Sequence, residues 1–326
     1  MEQRHLGRTG LRVSRLGLGT LTWGRDTGEL DAADQLKAFW EAGGTLVDTA
    51  DVYGDGGAEY LLGRLIEDVV PRSDLVIATK AGSVPDPDRR FDASRGHLLA
   101  ALDASLQRLG TDHVDVWQVH AYDPATPLEE TLQALDLAVS SGRARYVGVS
   151  NFCGWQLAKA ATWQQAVPTR TPLASTQMEY SLLQRGIERE VLPAALDLGV
   201  GLLPSSPLGR GVLTGKYRHG TPQDSRGGSA DMAPFVAPYL DGTARRIVDA
   251  LAIAADGLAA SPLQVALAWV RDRPGVTAPI VGARTARQLA AALSVETLSL
   301  PDEICRALDD VSAPVHRYPD HDWSTL

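Results

Sequence analysis

Short apolar runs recur along the chain at residues 45–47, 75–78, 114–119, 146–149, 173–176 and 201–203. Most neighbours lie about 30 residues apart, the length of one strand–helix unit with its loops. The intervening stretches carry helical periodicity. Residues 31–42 place Ala33, Leu36, Phe39 and Trp40 on one face and stop at Gly43 and Gly44. Residues 94–109 align Leu98, Ala101, Leu102, Ser105, Leu106 and Leu109 in a stripe closed by Gly110, and 128–139, 153–166 and 188–198 repeat the scheme. Continuously apolar strands alternating with helices imply a parallel sheet covered by helices. Adding strands near 16–18 and 278–281 brings the count to about eight, the number a closed (β/α)8 barrel needs. The competing open doubly wound sheet normally carries G-x-G-x-x-G after its first strand, whereas Gly17-Leu18-Gly19 runs into Thr20, Leu21 and Thr22. The pattern therefore predicts an α/β protein with one TIM-barrel domain over residues 1–326. A Gly/Pro-rich loop at 216–242 follows its seventh strand, and 312–326 forms a C-terminal tail.

Composition narrows the function classes. The 44% hydrophobic and 22% charged residues are ordinary for a globular chain, and the net charge of −9 argues against nucleic acid or an anionic membrane as the main partner. No apolar run approaches a membrane span, the polar start lacks a signal-peptide core, and two cysteines suggest a reducing compartment. A soluble cytoplasmic protein is the expectation. The basic residues are nearly all arginine, with lysine at 37, 80, 159 and 216.

A barrel places its chemistry at the carboxyl ends of its strands. Polar residues follow the apolar runs there: Asp48 and, five residues on, Tyr53; then Lys80, His120, Ser150 with Asn151, and Gln177. Taken singly, each has a structural reading as a turn cap, a strand-end residue, loop packing or a satisfied core histidine. Together they describe a proton-delivery device. A tyrosine hydroxyl ionises near pH ~10 and is a poor acid at neutrality. A neighbouring ammonium stabilises tyrosinate, a carboxylate fixes the ammonium, and a histidine can orient a carbonyl oxygen or relay the proton.

These residues sit in a context that resembles the aldo-keto reductase family. The segment VDTADVYGDGGAEYLLGR (47–64), Lys80 in IATK, His120 in DVWQVH, Ser150 and Asn151 in GVSN, Gln177 in QMEYSLL and the stretch SPLGRGVLTGKY (206–217) follow the family's order, as does the opening LGRTGLRVSRLGLGT. The wording is similar to bacterial sugar and aldehyde reductases and to potassium-channel β-subunits. The resemblance implies an oxidoreductase that reduces a carbonyl to an alcohol. In it Tyr53 would be the proton donor, Lys80 and Asp48 would tune it, and His120 would orient the substrate. It also implies NADP(H), preferred over NAD(H). Gly19, Thr20, Ser150, Asn151 and Gln177 would lie near the nicotinamide end. Backbone groups of Leu208, Gly209, Arg210 and Gly211 would cradle the pyrophosphate, with Ser206 and Lys216 as further cofactor contacts; Gly282, Arg284 and Gln288 would grip the 2′-phosphate, with Arg287 as a further candidate. Trp23, Tyr53, His120 and Tyr122 are the expected substrate contacts, with Trp117 and Asp123 as further candidates for the pocket wall; no metal is expected.

Two positions depart from the family pattern. Ser205 stands where an aromatic ring usually covers the nicotinamide, and Ala291-Ala292 where Glu-Asn often reads adenine. A second reading, suggested by the channel subunits, is a nicotinamide-binding redox sensor with slow turnover. A metal-dependent barrel isomerase is set aside, because only His120 among the seven histidines falls at a predicted strand end.

Overall fold

Alternation along each strand decides what the barrel interior contains. In the computed structural model, which describes residues 1–86, 89–230 and 232–314, two short strands, β1 (Gln3–His5) and β2 (Arg12–Ser14), form an antiparallel hairpin. Leu6 and Val13 from this hairpin pack with Leu46, Ala78, Val116, Ala174, Leu203 and Ala278 in a separate inner core. The hairpin thus plugs the end of the barrel remote from the strand termini.

The barrel strands are β3 (Gly17–Gly19), β4 (Leu46–Asp48), β5 (Val76–Ala81), β6 (Val114–Val119), β7 (Ala144–Ser150), β8 (Leu173–Glu179), β9 (Gly201–Ser205) and β10 (Ile280–Gly282). All adjacent pairs are parallel, in the order β10-β3-β4-β5-β6-β7-β8-β9. The ring closes just before β10: the Leu202 N–H donates to Gly275 O (3.2 Å) and the Thr277 N–H to Leu202 O (2.8 Å). The molecule is a (β/α)8 barrel.

Helices α1 (Glu29–Glu41), α2 (Gly57–Leu65), α3 (Arg95–Leu109), α4 (Leu128–Ser140), α5 (Gly154–Gln165) and α6 (Val191–Leu198) follow successive barrel strands. Gly110 and Gly199 end α3 and α6 in the left-handed conformation that glycine adopts without strain. After β9 the chain forms the 216–242 loop, which contains the short α7 (Ala233–Val236), and then α8 (Gly242–Gly257) and α9 (Pro262–Arg271). Ser261 and Gln264 make a capping box at the start of α9, with Pro262 in its first turn. After β10, α10 (Ala286–Leu293) leads to α11 (Asp302–Val311), which packs on α8. Most of the expected tail, from 315 onward, lies outside the described residues. Among the described residues no single helix is long and apolar enough to cross a membrane.

The period of two carries chemistry inward. Leu46 and Ala78 belong to the inner core, so Asp48 and Lys80, two residues later, face inward as well. Trp117, next to the inward Val116, faces the layer between sheet and helices and is wholly buried there, which removes it from any pocket wall. On β8 the register skips Ala174 opposite Val147 and Gly148. This bulge re-aims the strand so that Ser175 Oγ reaches Gln118 Oε1 (3.2 Å) and Gln177 reaches Asp48.

Candidate active site

Lys80 is the hub of the strand ends. Its Nζ donates to Asp48 Oδ2 (2.8 Å), to Thr49 O (2.8 Å) and to Tyr53 Oη (3.4 Å), which uses all three ammonium donors. Lys80 is wholly buried and Asp48 nearly so. Burial alone pushes the Lys80 ammonium down, but the Asp48 carboxylate and the Tyr53 hydroxyl outweigh it, and the net shift is upward. The other Asp48 oxygen, Oδ1, accepts from Gln177 Nε2 (2.8 Å). The Asp48 carboxylate is therefore held on both sides, by the Lys80 ammonium and the Gln177 amide.

Tyr53 sits on the loop between β4 and α2, where Gly54, Asp55 and Gly56 all have positive φ and turn the chain sharply. Burial raises the phenol above its ordinary value, Lys80 opposes this, and Asp48 adds to it. The hydroxyl thus stays protonated at neutral pH, with a cation beside it that stabilises tyrosinate when the proton leaves. His120 packs edge-on against Tyr53, with ring centroids 6.1 Å apart. Burial, and then the Lys80 charge, push the imidazole down to about 3, so the ring is neutral under all ordinary conditions. A neutral ring orients by hydrogen bonding, and the relay of a proton through imidazolium is disfavoured. The structure brings Asp48, Tyr53, Lys80 and His120 into one cluster.

Asp48 and Gln177 also line a groove of about 380 Å³ that runs outward over β9 and β10. Along it lie Ser206, Leu208, Arg210, Gly211 and Lys216 on one side. Gly282, Arg284 and Gln288 lie on the other. Ser206, Gly209, Arg210 and Gly211 have positive φ, and the Gly209 and Gly211 N–H groups donate back to Ser206 O (2.9 Å) and Leu208 O (3.0 Å), which folds the segment into a tight turn. Arg210 offers only its backbone here. Its guanidinium is held bidentately by Glu179 (3.0 and 2.6 Å), donates to Phe235 O, and stacks over the Phe235 ring. Gly209 is buried against Leu183 and lies behind the groove wall.

The outer end of the groove is cationic. Lys216, Arg226 and Arg284 all line it, and none of the three has a carboxylate within ion-pair distance among the described residues. Arg284 donates to the Asp224 carbonyl (2.6 Å). Burial, and then the neighbouring cations, hold Arg226 below its ordinary value. The Lys216 ammonium is also lowered, by burial first and then by Arg226 and Arg284, with Tyr217 and Asp224 opposing. Three clustered cations in a chain of net charge −9 make this end of the groove locally positive. Arg226 is missing from the sequence-level site because the 216–242 loop has no periodicity to orient it; its separation from Lys216 has meaning only once the loop folds over the groove.

Several expected contacts fall elsewhere. Gly19 and Thr20 stand behind the groove: a Cβ at Gly19 would meet Ile280, and Thr20 Oγ1 donates to Asp48 O (3.1 Å), so they buttress Asp48. Ser150 and Asn151 do not line the groove. Asn151 instead donates Nδ2 to His120 O (2.9 Å) and to Ser150 Oγ (3.1 Å), bracing the His120 backbone. Trp23 is wholly buried and donates Nε1 to Gln35 Oε1 (3.2 Å) on α1, so it has no face to offer a substrate. The Asp123 carboxylate is occupied by the Ala93 and Ala125 N–H groups and the Thr126 hydroxyl, and so organises a turn. Tyr122 is half-buried between Phe152 and the exposed Trp155 and does not line the groove. Arg287 is exposed and lies off the groove. Ser205, Ala291 and Ala292 do line it, and Phe235 is the one aromatic ring in its lining among the described residues.

Comparison with known proteins agrees with this geometry. Residues 15–313 match the model of the aldo/keto reductase family. The chain is 38% identical over 322 residues to the uncharacterized oxidoreductase YrpG of Bacillus subtilis, covering 95% of this chain and 96% of that protein. It is 36% identical to a probable voltage-gated potassium channel subunit beta of Oryza sativa subsp. japonica, over 98% of both chains. It is 35% identical to the L-glyceraldehyde 3-phosphate reductase of Escherichia coli, covering 89% of this chain and 86% of that one. With a family match across nearly the whole barrel, the chain belongs to the aldo/keto reductase family of oxidoreductases.

Proposed function

We propose that the protein is an NADPH-dependent reductase that converts an aldehyde, ketone or keto-sugar to the alcohol, with Tyr53 as the proton donor. The observation that carries this reading is the position of Asp48, which belongs at once to the Lys80–Tyr53 cluster and to the lining of a groove that ends in three cations without a carboxylate partner among the described residues.

The groove residues suit a dinucleotide phosphate. Gln177, with its amide nitrogen engaged by Asp48, keeps Oε1 for a carboxamide donor. The segment from Ser206 to Gly211, left-handed at Ser206 and at Gly209–Gly211, lines the side of the groove where a pyrophosphate would lie, and Lys216, Arg226 and Arg284 would hold a 2′-phosphate. Bound there, a reduced nicotinamide supplies the two electrons that carbonyl reduction requires. Tyr53 gives its proton to the developing alkoxide, the Lys80 ammonium stabilises the tyrosinate left behind, and Asp48 holds Lys80 in place. His120, neutral, hydrogen-bonds the carbonyl oxygen and fixes its approach. Ser205 contributes no ring to the groove, and the Phe235 side chain provides its aromatic surface.

The channel-subunit relatives favour a second reading, a nicotinamide-binding regulatory protein with slow turnover. Steady-state oxidation of NADPH and NADH against simple aldehydes, α-dicarbonyls and keto-sugars separates the two. Multiple turnovers with NADPH clearly ahead of NADH support the reductase. Tight cofactor binding with turnover no faster than cofactor exchange supports the regulator, and no binding of either cofactor contradicts both.

A further inference from the structure

Five ionisable groups meet behind Tyr53, and their charges do not balance. Asp48 is paired with Lys80 (2.8 Å), and Glu59 of α2, wholly buried, is paired with Arg108 of α3 (2.6 Å). Each pair is neutral. The fifth group is Asp51, three residues after Asp48 and two before Tyr53, whose N–H donates to the Lys80 carbonyl (3.1 Å). Among the described residues no cation is left over for it. Lys80 has spent its three donors, and Arg108 donates to Glu59 Oε2 and Ser105 Oγ. Asp51 Oδ1 is buried without a hydrogen-bond partner among the described residues.

The groups facing Asp51 come from each neighbouring element: Glu59 from α2, Arg108 from α3, Lys80 from β5 with Asp48 of β4 behind it, and Tyr53 from its own loop. An ionised Asp51 would be an excess charge beside the Glu59 carboxylate, with both neighbouring cations already committed to other carboxylates and able to offset it only in part. Such a group takes up a proton instead.

We propose that Asp51 is a positioning residue that carries its own proton while Tyr53 delivers one to the substrate, and that loss of the Asp51 proton slows the reduction. The inference rests on Tyr53 as the donor. The proton lost from Asp51 goes to solvent; the one delivered to the substrate still comes from Tyr53. The new negative charge opposes formation of tyrosinate and so weakens Tyr53 as an acid. Burial, and then the Glu59 charge, push Asp51 up to about 7, against the partial opposition of Arg108 and Lys80. The transition thus falls in the physiological range.

Asp51→Asn preserves the shape of the neutral form and cannot ionise. The pH dependence of kcat for reduction is measured in wild type and variant at saturating cofactor, alongside NMR of isotopically labelled aspartate carboxyl carbons. The expected result is a wild-type kcat that falls as pH rises through about 7, an inflection absent from Asp51→Asn, and an aspartate resonance titrating in the same range that the substitution removes. Two results overturn the proposal. One is wild-type spectra in which no aspartate titrates near neutrality, a readout that does not need the variant to fold. The other is a variant profile that superimposes on wild type. Full turnover in Tyr53→Phe would instead overturn the donor assignment, and the NMR titration would stand apart from it.

Discussion

Asp48→Asn should damage the protein twice, in stability and in chemistry, and the two losses should separate on a second substitution. The wild-type carboxylate accepts from Lys80 and Gln177, both at 2.8 Å, and both charges of the pair are buried. An asparagine keeps an acceptor for Gln177 but leaves the Lys80 ammonium with Thr49 O and the distant Tyr53 hydroxyl. Removing one partner of a buried pair costs about 3–5 kcal/mol, and the surviving polar contacts place this case near the lower end. Without Asp48, burial dominates Lys80 and drives it neutral, so Tyr53 loses the cation that stabilises tyrosinate. A loss of general-acid assistance is worth roughly 10²–10⁴ in rate. The double variant Asp48→Asn/Lys80→Met removes both charges, and its stability should return to within about 2 kcal/mol of wild type while turnover stays lost. Urea unfolding followed by circular dichroism reads the first quantity and NADPH oxidation the second. A single variant that loses less than about 1 kcal/mol, with a double variant no better, would refute the argument that the pair is held by mutual compensation.

The groove and its surroundings give further expectations. Arg226→Ala and Arg284→Ala should each weaken NADPH binding more than NADH binding, by about 1–3 kcal/mol for a charge-assisted contact; equal weakening of both cofactors in fluorescence titrations would remove the 2′-phosphate role. Asp51→Asn should also change stability with pH. A carboxyl whose folded value is raised contributes stability at pH below its unfolded value, and that contribution is lost as pH rises through about 7, so the variant should gain on wild type across that interval. The upper bound of this gain is about 4 kcal/mol, the free energy of moving a carboxyl from its ordinary range up to about 7, and denaturant titrations at acid and mildly alkaline pH measure it. Trp23→Phe should cost about 1–3 kcal/mol, because Gln35 loses its donor in a sealed site, yet leave the KM for every substrate unchanged. A selective rise in KM would put Trp23 back in the substrate path.

The features that sequence reveals here are those governed by period. The run 114–119 coincides with β6, and two-residue alternation from Leu46, Ala78 and Val116 is enough to send Asp48, Lys80 and His120 toward the mouth. Period does not say which way a residue turns after its strand ends. Trp23 follows β3 at the expected place, but the turn folds it outward to Gln35. Nor does period report a bulge: the skipped Ala174 is what brings Gln177 to Asp48, and an uninterrupted strand would have put Thr176 there. The hairpin of β1 and β2 is too short to show alternation, and α2 begins within a glycine-rich turn that masks its start. Arg226 depends on the path of a loop, and Asp51 on a count of charges drawn from four elements. Neither property is local in sequence.

The central claim is that Tyr53 supplies the proton for a carbonyl reduction driven by cofactor in the groove. NADPH oxidation by wild type and Tyr53→Phe, measured against one panel of aldehydes, α-dicarbonyls and keto-sugars with cofactor affinity determined on the same samples, tests it most directly. The account predicts turnover in wild type, its loss in Tyr53→Phe, and NADPH affinity nearly unchanged, because among the described residues the hydroxyl bonds only Lys80 and Tyr53 does not line the groove. Equal turnover in the two proteins would contradict it.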